Sequence, residues 1–89
     1  MSGLYKAFAS IKSEREFDSF LRDICTPAEI KALNERFEIA RLLYAGGLSQ
    51  KAVADKTGAS VTTVTRVARF LNDEPYNGYR AVLARLHHA

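Results

Sequence analysis

The sequence has few of the features that mark secreted or membrane proteins. Cys25 is the only cysteine among the 89 residues, so an internal disulfide is excluded and the thiol fits a reducing compartment. No apolar run approaches the roughly 20 residues that span a bilayer. Near the N-terminus, Lys6 and Lys12 interrupt the apolar residues, so the continuous core of a signal peptide is missing. These absences predict a cytoplasmic protein without a membrane partner.

The residues that could suggest catalysis or metal binding lack the partners that such chemistry needs. A catalytic cysteine requires an adjacent base and an oxyanion site, and nothing near Cys25 in the sequence supplies them. His87 and His88 are adjacent, which differs from the i, i+4 or C-x-x-C spacing of zinc ligands. We therefore expect no enzyme and no metal site, with a half-buried thiol at Cys25 and the two histidines in a surface tail.

The net charge of +3 is concentrated in one part of the chain. Residues 1–48 hold seven Lys/Arg and seven Asp/Glu, residues 49–72 hold four Lys/Arg against one Asp, and residues 73–89 are balanced. The middle segment (4 − 1 = +3) thus carries the whole net charge. A basic segment on a neutral scaffold fits contact with nucleic-acid phosphates, although a solvated basic face has the same composition.

Apolar spacing predicts three helices before residue 48. Thr26 is a typical N-cap, Pro27 suits the first helical position, and Glu29 faces the positive helix end, so the third helix should run from there to about Ala45 and stop at Gly46-Gly47. The first two helices, separated near Lys12 and Ser13, carry apolar faces of Leu4, Phe8 and Ile11, and of Phe17, Phe20, Leu21 and Ile24.

The third helix has an unusually wide apolar surface for so small a protein. One stripe contains Ile30, Leu33, Phe37, Ala40 and Tyr44, and a second group contains Ile39, Leu42 and Leu43. An 89-residue chain is expected to be a single domain, residues 1–89, near the size at which a core needs outside support. We therefore interpret residues 1–48 as dimerisation helices; the alternative is that the N-terminal helices of the same chain cover the third helix.

Residues 49–72 have the pattern of a helix-turn-helix. Ser49 is a candidate N-cap for a helix over residues 50–56, Gly58 suits a tight turn, and Ser60 would cap the following helix. The residues expected to be buried in this unit are Val53, Ala54, Ala59, Val64 and Val67. The alternative is a plain helical hairpin without a binding role.

The second helix of this unit predicts a surface for the DNA major groove. At 100° per residue, Thr62, Arg66 and Arg69 gather on one face, with Thr63 and Thr65 flanking it. The opposite face collects Val61, Val64, Val67, Ala68 and Leu71. Near the N-terminal end, Val61, Thr62 and Thr65 are the expected base contacts. Gln50 and Lys51 on the preceding helix would contact the DNA backbone, and Lys56 is equally compatible with such a contact and with an ordinary exposed position.

Residues 73–89 should form a last helix whose Val82, Leu83 and Leu86 pack on the dimer body.

One set of residues over about 25–75 forms a recognisable pattern in one register without gaps. Its members are Thr26-Pro27-Ala28-Glu29, Ala32-Leu33, Arg36, Ile39, Leu43, Gly46, Ser49-Gln50, Gly58-Ala59, Thr63, Thr65-Arg66 and Leu71. In these residues the chain resembles the Trp repressor superfamily, and most closely its small bacterial members with a short N-terminal region. The resemblance implies an all-α protomer of about six helices and an intertwined homodimer.

The resemblance also implies a candidate ligand pocket. The founding member binds DNA only with tryptophan, which a threonine and two arginines hold; Thr26, Arg36 and Arg66 stand at the matching positions. A glycine and a serine of that pocket are replaced by Val67 and Phe70, whose side chains should intrude where the indole would lie. We therefore expect no tryptophan corepressor, with Phe70 substituting for the ligand; alternatively, Phe70 is ordinary core and the pocket takes another small effector.

Together these observations predict a bacterial transcriptional regulator associated with the nucleoid, a repressor that binds an approximately palindromic duplex as a homodimer. Two-fold symmetry would place the two recognition helices roughly 34 Å apart, one turn of DNA. The alternatives are a regulator with an effector other than tryptophan and a protein-interaction module that has lost DNA binding. An enzyme is the remotest interpretation.

Overall fold

Six α-helices follow one another along residues 2–88, the part of the chain that this computed structural model describes. They are α1 (Ser2–Ser10), α2 (Glu14–Ile24), α3 (Pro27–Ala45), α4 (Gln50–Thr57), α5 (Val61–Asn72) and α6 (Gly78–His88). Within these residues there is no strand, so the all-α prediction with about six helices is confirmed. None of the described helices is long and apolar enough to cross a membrane. His87 is exposed, as predicted, but the two histidines belong to the last turn of α6 and do not form a separate tail.

The chain divides between residues 31 and 32 into two compact units. In the first, the Phe8 ring lies 5.7 Å from Phe17 and 5.6 Å from Phe20, which joins α1 to α2 through an aromatic cluster. The Ser13 hydroxyl accepts a hydrogen bond from the Glu16 N–H at 3.1 Å, so α2 begins just after the predicted break. Neither helix contains a buried residue.

The start of α3 is fixed by a reciprocal pair of hydrogen bonds. The Glu29 N–H donates to the Thr26 hydroxyl at 3.1 Å, and the Thr26 N–H donates to Glu29 Oε1 at 2.8 Å. This capping box confirms Thr26 as the N-cap and gives Glu29 a second role that its charge alone did not predict. The Thr26 hydrogen bonds stabilise the carboxylate, first through the backbone N–H, and hold the pKa of Glu29 below its ordinary value of 4.5.

The core of the second unit brings together one face from each of α3, α4, α5 and α6. Its buried members are Ile39, Ala40, Leu42, Val53, Ala54, Val64, Val67, Leu71 and Leu83. Four of the five residues predicted to be buried in the helix-turn-helix belong to this core, and the fifth, Ala59, is half-buried against it. Full burial of a Val or Leu side chain stabilises the fold by about 1.5–3 kcal/mol, so this core positions α4 and α5.

Several apolar residues lie outside this core. Val61 shares the angular position of the buried face of α5 but is 54% exposed, because it precedes Val64, the first core residue of that helix, by almost a full turn. On α6, Leu83 is buried as expected, whereas Val82 and Leu86 are exposed in the single chain. Leu33 of α3 is exposed as well.

Candidate nucleic-acid interface

The turn between α4 and α5 is built from the local signals in its sequence. The Ser49 hydroxyl accepts from the Ala52 N–H at 3.1 Å and caps α4. At the other end, Gly58 has φ of +78° and its N–H donates to the Ala54 carbonyl at 2.9 Å. Glycine reaches this left-handed conformation without the steric cost of a Cβ atom. The predicted helix-turn-helix geometry around Gly58 is therefore present, with α4 extending one residue further than expected.

Ser60 caps α5 through a contact with Thr63, one of the residues predicted to bind DNA. Its hydroxyl accepts from the Thr63 N–H at 3.1 Å, and the two hydroxyl oxygens of Ser60 and Thr63 are 3.0 Å apart. Thr63 is half-buried at this position. Its hydroxyl is thus engaged at the N-terminal end of α5, the end that a recognition helix presents to bases.

A side-chain hydrogen bond connects the two helices of the unit. The Thr65 hydroxyl donates to Gln50 Oε1 at 3.0 Å, and both residues are exposed. The sequence placed these residues on different helices with separate roles and gave no sign of their contact, because they are 15 positions apart. The bond uses the amide oxygen of Gln50 and leaves its two N–H donors available to an acceptor such as a phosphate.

The outward face of α5 carries the predicted polar row. Thr62, Arg66 and Arg69 are all exposed. On α4, Lys51 is exposed and lies 3.8 Å from the Asp55 carboxylate in a loose ion pair, while Lys56 is exposed and belongs to none of the ion pairs among the described residues. An exposed pair of this length is worth little energy, so Lys51 remains available to another anion.

The Phe70 ring lies close to both arginines of α5. The Arg66 guanidinium carbon lies 4.7 Å from the centroid of the Phe70 ring, and that of Arg69 lies at 5.9 Å. These are cation–π distances. Arg69 also donates from Nε to the Glu74 carboxylate at 3.1 Å. The spacing of Arg66 and Phe70, i and i+4 on one helix, is the sequence signal that this contact follows.

Phe70 also forms one wall of an apolar groove in the second unit. Its ring stacks on Tyr76, with centroids 6.3 Å apart and an angle of 14° between the planes. Phe70 itself is half-buried and is not a member of the buried core. The groove has a volume of about 460 Å³ and is lined by Phe37, Phe70, Tyr76, Gly78, Tyr79 and Val82.

The residues of the candidate ligand pocket lie in different settings. Arg66 and Phe70 are in contact, as described above, whereas Val67 is 2% exposed inside the core. Arg36 is exposed on α3. Thr26 belongs to the first compact unit, where its hydroxyl accepts the capping bond from Glu29. Cys25 is half-buried, as expected. Among the side chains that the structure describes, no group of three or more candidate metal ligands lies together.

The six helices, the turn at Gly58 between α4 and α5 and the exposed arginines of α5 place this protein in the helix-turn-helix class. Residues 1–87 match the family model described as Trp repressor protein. The chain therefore belongs to the Trp repressor family, as the sequence resemblance predicted.

Individual relatives agree with this assignment. The chain is 41% identical to YerC of Bacillus subtilis over 69 residues, which is 78% of this chain and 65% of YerC, slightly under two thirds of that protein. It is 32% identical over 66 residues to a Trp operon repressor homolog of Chlamydia trachomatis, covering 70% of each chain. Among solved structures, a TrpR-like protein from Eubacterium eligens has a TM-score of 0.88 at 40% identity, over 97% of this chain and 87% of that one.

Proposed function

We propose that the protein is a DNA-binding transcriptional regulator, a repressor, that places α5 in the major groove. The observation that carries this proposal is the exposed row of Thr62, Arg66 and Arg69 on a helix whose position is fixed by the Ser60 cap and the Gly58 turn. The concentration of the net charge in residues 49–72 supports contact with phosphates. Membership of the Trp repressor family supports the same function.

The side chains divide into base contacts and backbone contacts. We assign the base contacts to Val61, Thr62 and Thr65, which are exposed near the N-terminal end of α5; a threonine can offer a base edge both a methyl group and a hydroxyl. Arg66 and Arg69 can contact guanine or phosphate. Gln50 and Lys51 hold the unit on the backbone, with Thr63 at the cap supporting the same end of the helix.

The functional form is a homodimer that binds an approximate palindrome. Apolar side chains on α1 and α2, including Tyr5, Phe17 and Ile24, are exposed in the single chain, and neither helix contains a buried residue. A second copy would cover these surfaces, in line with the interlocked N-terminal helices that the family resemblance implies. Symmetry then sets the two copies of α5 roughly 34 Å apart.

We further propose that DNA binding does not require tryptophan. The Phe70 ring lies under the Arg66 guanidinium at 4.7 Å, so an aromatic ring from the chain already stacks on an arginine that the family uses for its ligand. Val67 fills part of the core with its side chain. A second candidate function, regulation by an apolar effector other than tryptophan, is favoured by the 460 Å³ groove beside Phe70.

A titration tests whether DNA binding requires tryptophan, and the addition of extract fractions tests for another effector. Protein freed of small molecules is titrated against a duplex selected from a random pool, with and without saturating tryptophan, and binding is followed by fluorescence anisotropy. We expect equal affinities in both conditions. A gain of about tenfold or more with tryptophan, equal to about 1.4 kcal/mol, would contradict ligand independence. Strong binding that appears only in cell extract fractions containing small molecules would support the effector-dependent function instead.

A further inference from the structure

The C-terminal end of α5 is held by an arginine from α6. Arg80 donates from Nε to the Leu71 carbonyl oxygen at 2.8 Å and from Nη2 to Asn72 Oδ1 at 2.7 Å. These are short, charge-assisted hydrogen bonds that use two donors of the planar guanidinium fork. Nothing local in the sequence predicted them, because the partners are nine and eight residues away.

The position of Arg80 matches what the end of a helix requires. The last carbonyl groups of a helix lack intrahelical partners and carry partial negative charge, so a cation there is favourable. At the end of α5, the N–H groups of Asp73 and Glu74 both donate to the Arg69 carbonyl, at 2.8 and 3.0 Å. Among the hydrogen bonds of the described residues, Arg80 supplies the one outside the helix that reaches the Leu71 carbonyl.

Arg80 also lies beside an aromatic ring of α3. Its guanidinium carbon lies 5.8 Å from the Tyr44 ring of α3, and Leu83, one turn further along α6, is 3% exposed. Leu71, whose carbonyl accepts from Arg80, is 4% exposed. The guanidinium therefore connects the end of the recognition helix to two other helices of the second unit.

We propose that Arg80 is a positioning residue for DNA recognition. It holds the C-terminal half of α5 in the orientation that places Arg66 and Arg69 against DNA, and it acts through its two hydrogen bonds to Leu71 and Asn72 and not through a DNA contact of its own. This inference rests on the proposed DNA binding by α5. It predicts that removal of Arg80 weakens binding through the orientation of the helix and not through the loss of a phosphate contact.

The test compares Arg80→Ala with Arg85→Ala. Arg85 lies on the same helix and is exposed, and its side chain makes no hydrogen bond or ion pair among the described residues, so Arg85→Ala removes the same charge without removing such a contact. We expect Arg80→Ala to lose about tenfold in affinity and Arg85→Ala less than about threefold, measured well below the melting temperature of each variant. The slope of log affinity against log salt should be the same for both variants and the wild type.

The salt slope separates positioning from direct contact. If each Arg80 contacted a phosphate, Arg80→Ala would reduce the slope by about 0.9 per contact, and that result would overturn the proposal. Equal affinities of Arg80→Ala and Arg85→Ala would overturn it too, while the wild type still bound DNA. A wild type that bound no duplex would instead overturn the proposed function, and this inference with it.

Two further measurements keep the test decisive if Arg80→Ala folds poorly. Arg80→Lys retains the charge but lacks the planar fork, and we expect it to bind DNA more weakly than both the wild type and Arg85→Ala. Wild-type affinity in Arg80→Lys would contradict the geometric role. Hydrogen exchange of the amides at residues 70–73 should be faster in Arg80→Lys than in Arg85→Ala; equal exchange rates would show that the end of α5 does not depend on this fork.

Discussion

At the residue scale, the polar row of α5 contains two kinds of side chain with different expected effects. Thr62 lies in the first turn of α5 and has a short side chain that can reach only what touches the helix directly. Arg69 lies near its end, is long, and is shared between the Phe70 ring and the Glu74 carboxylate. Direct contact with bases gives sequence preference, whereas contact with phosphates gives affinity without preference.

This difference leads to opposite expectations for two alanine variants. Arg69→Ala should weaken binding to all duplexes alike and reduce the salt slope by about one unit per subunit. Thr62→Ala should change the preferred bases by about 1–3 kcal/mol at one position of each half-site while leaving the salt slope unchanged. Competition titrations with a set of single-base duplex variants measure both effects. An unchanged preference in Thr62→Ala would show that the base contacts are assigned to the wrong residues.

The Glu29 carboxylate gives a pH-dependent contribution to stability. Hydrogen bonds from Thr26 hold its pKa below 4.5 in the folded protein. A carboxyl with a lowered pKa stabilises the fold fully above its unfolded value, and that contribution is lost as the pH falls through the folded value. Glu29→Gln should therefore lower the melting temperature at about pH 7. On acidification to about pH 3, the melting temperature of this variant should fall less than that of the wild type.

The matched control is Glu35→Gln, which removes the same charge from α3 outside the capping box. Thermal unfolding of the three proteins across the pH range tests the assignment. Parallel profiles for Glu29→Gln and the wild type would mean that the capping box contributes nothing to the acid sensitivity.

At the element scale, the turn of the helix-turn-helix depends on one glycine. Gly58 has φ of +78°, and a Cβ atom added there would meet no other atom within 4 Å. Gly58→Ala thus introduces backbone strain without a clash, and we expect it to lower the free energy of unfolding by about 1 kcal/mol. Gly78→Ala is the control, since Gly78 has an ordinary φ at the start of α6 and equally open surroundings. Chemical denaturation that gives equal losses for both variants would contradict this account.

The same scale shows what the sequence could predict. Helix ends followed from local signals: Thr26, Ser49, Gly58 and Ser60 are each placed where a cap or turn requires them, and each makes the expected contact. The contacts between helices could not be predicted from such local signals. Gln50 with Thr65 and Arg80 with Leu71 depend on how neighbouring helices pack, and a local pattern of residues does not specify that.

The exposure of Val61 and Leu33 also depends on how the helices pack. Each residue lies on the expected side of its helix, but the extent of the core decides whether that side is covered. The stacking of Phe70 on Tyr76 also escaped prediction, because Tyr76 follows Pro75 in the turn region between α5 and α6. The roles of the candidate DNA and ligand residues remain predictions, since they are defined by partners that the single chain does not contain.

At the scale of the whole molecule, the exposed apolar residues favour a second chain. The large apolar side chains with substantial exposure include Leu4, Tyr5, Phe17, Ile24, Leu33, Val82 and Leu86, and Tyr76 is 74% exposed. Scattered apolar residues are normal on a surface, but no apolar residue of α1 or α2 is fully buried. We therefore expect a stable homodimer whose folding and association are coupled.

Coupled association makes stability depend on concentration. The melting temperature should rise as the protein concentration increases, and analytical ultracentrifugation should give the mass of two 9.9 kDa chains. Ile24→Glu, which places a charge on an exposed apolar site of α2, should shift the equilibrium towards monomer, whereas Arg22→Glu on the same helix should have a smaller effect. A monomer with a melting temperature independent of concentration would exclude the dimer.

Selection of bound duplexes from a random DNA pool by ligand-free protein tests the central claim most directly, namely that residues 49–72 recognise DNA in a dimer. We expect an enriched approximate palindrome, with the centres of its half-sites roughly 34 Å apart and with binding that weakens steeply as salt increases. The Arg66→Ala variant should lose this enrichment. Failure of the wild-type protein to enrich any sequence, at protein concentrations where the dimer is formed, would contradict the account.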